Sequence, residues 1–329
     1  MDDDNDMLNR ELSCSISNGK EYLTIVLPDT CYLFKVSEIA KLSTVENNDI
    51  DKFHCCFSEL AIDAMGQSGI VVNDTVILFN TGGNAIATSL YSGEKTTFQT
   101  ECSRYNPHCN VANYYQKEGR HYVYLSEWDG GHRCFVEELR YNTTQKKWES
   151  KLVQVLSMRI DDSIRGYGNM DWIIDTEAEM IYTQTYKDGS STNATALVFL
   201  QFKLPAPFSQ NSVVFALDNL IRRVEIPIIH ATQDKFIYKG KLYVASGLGD
   251  DLPGRITVLD LSSFKEEDSF DLSYRNDEPE ALQMYKDNIL LFYWKKNYSI
   301  QNKHSLFIHF KNGLVISYPQ SLLREIKYI

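Results

Sequence analysis

Ile70-Val71-Val72-Asn73-Asp74-Thr75-Val76-Ile77-Leu78-Phe79 decides the fold. Two β-branched, apolar runs flank two turn-forming residues, which is the pattern of a tight antiparallel hairpin. The figure returns at Phe236–Tyr238, Lys239-Gly240, Lys241–Ala245, and again at Leu282–Tyr285, Lys286-Asp287, Asn288–Phe292. Two looser copies carry a longer turn: Asn113–Tyr115, Gln116–Arg120, His121–Leu125, and Trp172–Ile174, Asp175–Glu179, Met180–Tyr182. Helical periodicity is confined to short stretches at Val36–Leu42, Phe57–Ala64 and Ser321–Ile326. The chain reads as all-β.

The five hairpins align on the last residue before each turn: Val72, Tyr115, Ile174, Tyr238 and Tyr285. Five positions upstream stand Gln67, Asn110, Asn169, Gln233 and Glu280, all polar and all able to accept a hydrogen bond. Their spacings are 43, 59, 64 and 47 residues. A unit of roughly 40–50 residues holding four strands is the period of a β-propeller. Room for two further strands follows each hairpin: Ile86–Tyr91 and Thr96–Thr100 in the first copy, Ile256–Leu261 and Ser269–Leu272 in the fourth, Ser305–Phe310 and Gly313–Tyr318 in the fifth. The expected architecture is five four-stranded antiparallel blades, or six if Glu21–Val36 forms a unit of its own. An acidic N-terminal tether is expected over 1–20, then one propeller domain over 21–329, with blades starting near 67, 110, 169, 233 and 280. The hairpin at Glu21–Val36 is expected to close the ring by pairing with strands from the far end of the chain, which removes exposed edges.

In a propeller the first strand of each blade lines the central channel, so equivalent residues form a ring. Polar side chains there either tie neighbouring blades through buried backbone groups or grip a polar ligand at the channel mouth. Both uses are compatible. The signatures around these positions are Met65-Gly-Gln67-Ser-Gly, Asn106-Pro-His108-Cys-Asn110, Gly166-Tyr-Gly-Asn169-Met-Asp171, Ile229-His-Ala-Thr-Gln233 and Asn276-Asp-Glu278-Pro-Glu280-Ala-Leu. Together they resemble the inner-strand motifs of bacterial and phage β-propellers related to phage receptor-binding proteins and the teichoic-acid protein C type. The resemblance spans about residues 57–320. It departs at Ala281, where that family often has glycine, and at Asn169-Met-Asp171, where it has a contiguous Asn-Asp. It implies a propeller whose ligand-binding candidates are Gln67, His108, Asn110, Asn169, Asp171, Gln233, Glu278 and Glu280.

Composition narrows the function. The chain has 329 residues, 43% of them hydrophobic, with 20 Tyr, 16 Phe and 4 Trp, enough for a folded core. Its net charge is −11 with no Lys/Arg block, which argues against nucleic-acid binding. No run approaches the roughly 18 apolar residues of a membrane helix. No nucleophile elbow, P-loop or zinc HExxH pair is present, and Gly247–Gly254 reads as a blade loop.

Carboxylates remain as catalytic candidates. Asp171, Glu278 and Glu280 stand near the ring, and glycoside hydrolysis needs two such groups across the sugar. The other ring positions are amides, which cannot act as acid or base. A non-catalytic binding module for a carbohydrate or other polar small molecule is therefore the first reading. A glycoside hydrolase and a protein-interaction scaffold are the alternatives. Tyr105, His108, Trp128, Tyr167 and Trp172 are aromatic candidates for ligand contact or for blade packing. Ser126–His132 is a loop tip or a ligand contact. Asp250-Asp251 and Glu266-Glu267-Asp268 read as solvated turns. No cofactor is expected, with calcium on an oxygen-rich loop the one exception, and no metal site is read from the Cys and His spacing.

Seven cysteines, Cys14, Cys31, Cys55, Cys56, Cys102, Cys109 and Cys134, form no CxxC pair and are odd in number. They read as buried free thiols, or as one or two bridges with the rest free. The acidic start lacks a basic n-region and an apolar h-region. The expectation is an exported, periplasmic or extracellular bacterial protein whose signal was removed, acting as a monomer; a cytoplasmic protein is the alternative.

Overall fold

The computed structural model describes residues 11–17, 20–26, 31–35, 59–60, 66–89, 94–128, 131–159, 169–188, 193–249, 251–271, 278–285, 288–294, 304–310 and 315–316. Its contacts group the chain into two units: Met1–Ile62 with Met284–Phe292 and Lys303–Ile329, and Asp63–Gln283 with Tyr293–Asn302. Among the described residues no helix is long and apolar enough to cross a membrane.

The larger unit is a β-propeller. Its first blade orders Ser68–Val72, Thr75–Phe79, Asn84–Ser89 and Lys95–Gln99 from the axis outward. The second orders Ala112–Lys117, Arg120–Ser126, Arg133–Asn142 and Lys147–Met158; the third Met170–Asp175, Met180–Lys187, Ala196–Lys203 and Arg222–Pro227. Thr232–Tyr238, Lys241–Ser246, Arg255–Asp260 and Glu266–Asp271 make the fourth. All these neighbours are antiparallel, as a meander joined by short turns must be. A further inner strand begins at Glu278.

The inner strands close on one another around the axis. Ser68 Oγ donates to the Cys109 carbonyl, linking the first blade to the second. Ile174 N–H donates to Asn113 Oδ1 at 2.6 Å, linking the second to the third. Tyr186 and Thr232 hydroxyls lie 2.6 Å apart between the third and fourth. Gln233 Nε2 donates to Glu278 Oε1 at 2.6 Å, joining the fourth to the strand that follows it. That strand returns to the first: a Cβ on Gly69 would stand 3.4 Å from Ala281 Cβ. The small pair at this contact gives Ala281 a packing reason.

Between blades the wedge is filled by large side chains. Trp172, Phe202, Leu200 and Tyr124 pack with Phe215 between the second and third blades. Phe199, Tyr186, Leu242 and Phe264 do so between the third and fourth, and Ile77, Phe79, Phe135 and Leu139 between the first and second. Such burial contributes about 25 cal/mol per Å² of apolar surface, and the high aromatic count is used here. Trp172, a candidate ligand contact from the sequence, is fully buried in this packing and 5.6 Å from the Phe215 ring.

Several sequence expectations need correction. The loop expected at Gln116–Arg120 is a two-residue turn, Glu118-Gly119, between Lys117 and Arg120, which pair directly. Both turn residues have positive φ, 52° and 75°, as the tight hairpin twist requires. Glu266-Glu267-Asp268 lies on the outermost strand of the fourth blade rather than in a turn. That strand has one solvent-facing edge, where charge protects against unwanted pairing. Residues 204–221 leave the third blade, add Ser212–Phe215 in parallel to Lys147–Met158, and return as Arg222–Pro227. Phe215 anchors that excursion in the aromatic core, its ring 5.0 Å from that of Phe202.

In the smaller unit, Glu11–Ser17, Lys20–Val26 and Cys31–Lys35 form a three-stranded antiparallel sheet, so part of the expected tether is a strand. Lys20–Val26 is paired along both edges by its own neighbours in sequence. Among the described residues of this unit, pairing between its two ends is made by Glu59–Leu60, inside a stretch read as helical, on His304–Phe310. His304–Phe310 also pairs with Val315–Ile316, as expected. The helical expectations at Val36–Leu42 and Ser321–Ile326 lie outside the described residues, as do the Lys286-Asp287 turn, Cys55 and Cys56. Cys102, Cys109 and Cys134 are free thiols, all fully buried.

Candidate functional site

An inner strand pairs on its outer side only, so its axial N–H and C=O groups need other partners. Asp234 supplies them for three strands at once. Its Oδ1 accepts Ala112 N–H at 3.2 Å, and its Oδ2 accepts Leu282 N–H at 3.0 Å and Gly69 N–H at 3.4 Å. Complete burial pushes its carboxyl up to about 8; the backbone donors and the Lys235 ammonium pull it back only in part. Asn113 Nδ2 donates to the Lys235 carbonyl at 2.7 Å, and Gln283 Nε2 to the Ala112 carbonyl at 2.9 Å.

The irregularity that permits this is a break in register between Thr232 and Lys235. A bulge of this kind re-aims the side chains on its strand. Here Gln233 turns to Glu278, while Lys235 Nζ reaches Asp171 Oδ2 at 2.6 Å and the Gln233 carbonyl at 2.7 Å. Both members of that ion pair are essentially unexposed, at 0% and 1%. Asn110 Nδ2 donates to both Asp171 oxygens at 3.1 Å, completing the network.

A cavity of about 300 Å³ is lined by Gln67, Asn110 and Gln233, by Glu278 and Glu280, and by His108 and Trp128, with Ala231, Thr232 and Leu248. Six of the eight residues expected to bind ligand are thus brought together. Asn169 and Asp171 are not among the lining residues. Asp171 is 1% exposed, and its two oxygens are taken by Asn110 and Lys235. Asn169 is half-buried just before its strand. Tyr167 and Asp250 lie outside the described residues. Tyr105 stands apart from the cavity, stacked on Phe135 at 5.0 Å with the Arg133 guanidinium 4.9 Å from its ring.

Each wall has a local cause. Glu278 and Glu280 are alternate residues of one strand and therefore point to one side. Glu280 is 2% exposed, and its carboxyl is held well above the usual range, first by burial, then by the Glu278 and Asp234 charges. Trp128 belongs to the loop expected at Ser126–His132. It sits at φ 60° and packs its ring 4.9 Å from His108, while Arg133 bonds Glu127 across the base of the loop. Leu248 comes from the Gly247–Gly254 loop, whose ends close so tightly that a Cβ on Gly247 would stand 2.6 Å from Gly254 Cα. Two polar atoms on lining residues are buried without a hydrogen-bond partner among the described residues: Glu280 Oε2 and Trp128 Nε1.

Lys235, Asp234, Asn113 and Gln283 were not singled out from sequence. Their signal was present: each is a polar residue on an inner strand, one to three residues past the aligned positions. Asp234, Asn113 and Gln283 meet the axial backbone groups, a task the sequence reading gave to the aligned residues themselves.

No protein-family model matches the chain, and no curated protein matches it. Among solved structures, the Myxococcus xanthus glutaminyl cyclase is similar over 79% of this chain and 95% of its own, at 11% identity and a TM-score of 0.46. The tail fiber of Staphylococcus aureus phage P68 matches over 76% of this chain and 50% of its own, at 13% identity and 0.47. An α-L-arabinofuranosidase from Clostridium thermocellum matches over 94% and 92%, at 12% identity and 0.42. At these identities and scores the likenesses say nothing of activity.

Proposed function

We propose that the propeller unit binds a polar small molecule, a carbohydrate unit first among them, in the cavity between Gln67, Asn110, Gln233, Glu280 and Trp128. One observation carries the reading: Glu280 Oε2 and Trp128 Nε1 are buried with no partner among the described residues. A buried polar atom without a partner costs about 1–3 kcal/mol, which a ligand hydroxyl would recover at either position. The volume of about 300 Å³ is at the lower end of small-molecule sites. Amide side chains offer both donors and acceptors, and an aromatic wall suits the apolar face of a sugar ring.

A glycan array probed with the labelled chain tests this, followed by titration of each hit against wild type, Trp128→Ala and Gln67→Ala. The expected outcome is at least one hit whose affinity falls tenfold or more in both variants. An array without hits, or hits indifferent to both substitutions, would overturn it.

A glycoside hydrolase is the second reading, favoured by Glu280. A carboxyl kept neutral by burial and by neighbouring Glu278 and Asp234 is what a general acid requires. Asp171, already bound to Lys235 and Asn110, is not free for the partner role, which falls to Glu278. Hydrolysis of an array hit, abolished by Glu280→Gln with binding retained, would establish this reading over simple binding.

A further inference from the structure

A second cavity, of about 510 Å³, lies between the first and second blades. It is at the opposite end of the inner strand from Gln67, beside the Asn73-Asp74 turn. Six residues of extended strand, about 20 Å, separate the two positions.

Its two walls differ in chemistry. On the first blade Thr75 pairs directly with Ser89, and Ala87 directly with Thr96, so small side chains, three of them hydroxyls, occupy neighbouring places across three strands. On the second blade Tyr141 pairs directly with Trp148, their rings edge to face at 5.5 Å. Nearer the axis the same wedge is closed by Ile77, Phe79 and Leu139. Toward the turn, Thr75, Ala87 and Ser89 are too small to fill the space, and Tyr141 is left 47% exposed. His121 is fixed by a 2.8 Å hydrogen bond between its Nδ1 and the Tyr114 hydroxyl and by stacking on that ring at 5.9 Å. Burial lowers its pKa, which keeps the imidazole uncharged at neutral pH.

We propose that this inter-blade cleft is a second ligand site, for a neutral oligosaccharide. Tyr141, with the buried Trp148 ring packed against it, supplies apolar surface for the sugar's C–H face, and Thr75, Ser89, Thr96 and His121 supply groups that exchange hydrogen bonds with ring hydroxyls. Among the described residues lining the cleft there is no Lys or Arg, and the charged one is Glu94. A phosphate or carboxylate ligand therefore has nothing there to neutralise it.

Saturation-transfer NMR tests the site, with maltotriose, cellotriose and triacetylchitotriose as probes. The chain carries Trp128→Ala and Gln67→Ala throughout, the two substitutions expected to cost the channel cavity its ligand, so that its failure stays distinguishable. Tyr141→Ala removes the exposed aromatic; Thr96→Trp fills the cleft with a residue well suited to an outer strand. Far-UV circular dichroism checks that each variant folds. Transfer to at least one trisaccharide, reduced threefold or more by both substitutions, is the expected result. No transfer to any of the three, or transfer that either substitution leaves unchanged, would overturn the proposal.

Discussion

Replacing Lys235 by methionine tests the polar network beneath the channel cavity. Lys235 Nζ lies 2.6 Å from Asp171 Oδ2, and neither side chain is more than 1% exposed. Removing the ammonium leaves a carboxylate in a water-poor interior with, among the described residues, the Asn110 Nδ2 bonds to solvate it, and strips a donor from the Gln233 carbonyl. Breaking a buried pair in this way costs about 3–5 kcal/mol. Removing both charges is different in kind: in Lys235→Met/Asp171→Asn the amide oxygen still accepts from Asn110, and no ion remains unpaired. The double variant is therefore expected to be more stable than Lys235→Met alone, with a coupling energy of about 2 kcal/mol or more in a double-mutant cycle. Urea unfolding at pH 7, followed by tryptophan fluorescence, reads all four corners. A loss below about 1 kcal/mol for Lys235→Met, or additivity within about 0.5 kcal/mol, would refute the reasoning.

Three further outcomes are expected. Asp234 and Glu280 have raised pKa values in the folded chain, so the native state holds more protons than the unfolded one above their unfolded pKa values near 4. Their contribution to stability is then full below about pH 4 and is lost as pH rises toward about 8, and Asp234→Asn should flatten that slope in unfolding titrations between pH 5 and 8; an unchanged slope contradicts the assignment. Trp172→Ala empties a fully buried site against Phe215 and should cost about 3–5 kcal/mol in urea unfolding, whereas a loss under 1 kcal/mol would mean that the inter-blade packing does not hold this ring. Gly83 has φ 74°, and a Cβ there would stand 2.6 Å from Thr100 Oγ1 and 3.2 Å from Ser103 Cα; Gly83→Ala should lower the melting temperature by several degrees, and an unchanged melting curve would show that this turn relaxes freely.

The hairpins at Val72, Tyr238 and Tyr285 were legible because their evidence is local. Alternating apolar runs around two turn residues specify a strand pair without help from the rest of the chain. The aligned polar positions were legible for a related reason: a residue that cannot be apolar inside an apolar strand marks where the strand meets the axis. Hence Gln67, Asn110, Gln233 and Glu280 fell together in one cavity. Asn169 and Asp171 carry the same signal and stand elsewhere, because position along a strand does not say which way a side chain turns when a partner such as Lys235 competes for it. The aromatic candidates divided similarly. Trp128, in a polar loop with two glycines, lines the cavity, and Trp172, in an apolar hairpin strand, fills the core.

The sequence by itself determined the all-β class, the tight hairpins at Val72 and Tyr238 and four of the aligned polar positions that line the cavity, all consequences of periodicity and turn chemistry within short windows. Tertiary structure alone decided the bulge at Gln233-Asp234, the Lys235–Asp171 pair, the excursion carrying Phe215, and the cleft left by Thr75, Ala87 and Ser89 opposite Tyr141. Each depends on how residues distant in the chain share a limited interior, where an unpaired charge, an orphaned N–H or an unfilled wedge changes the free energy by amounts that no local pattern encodes.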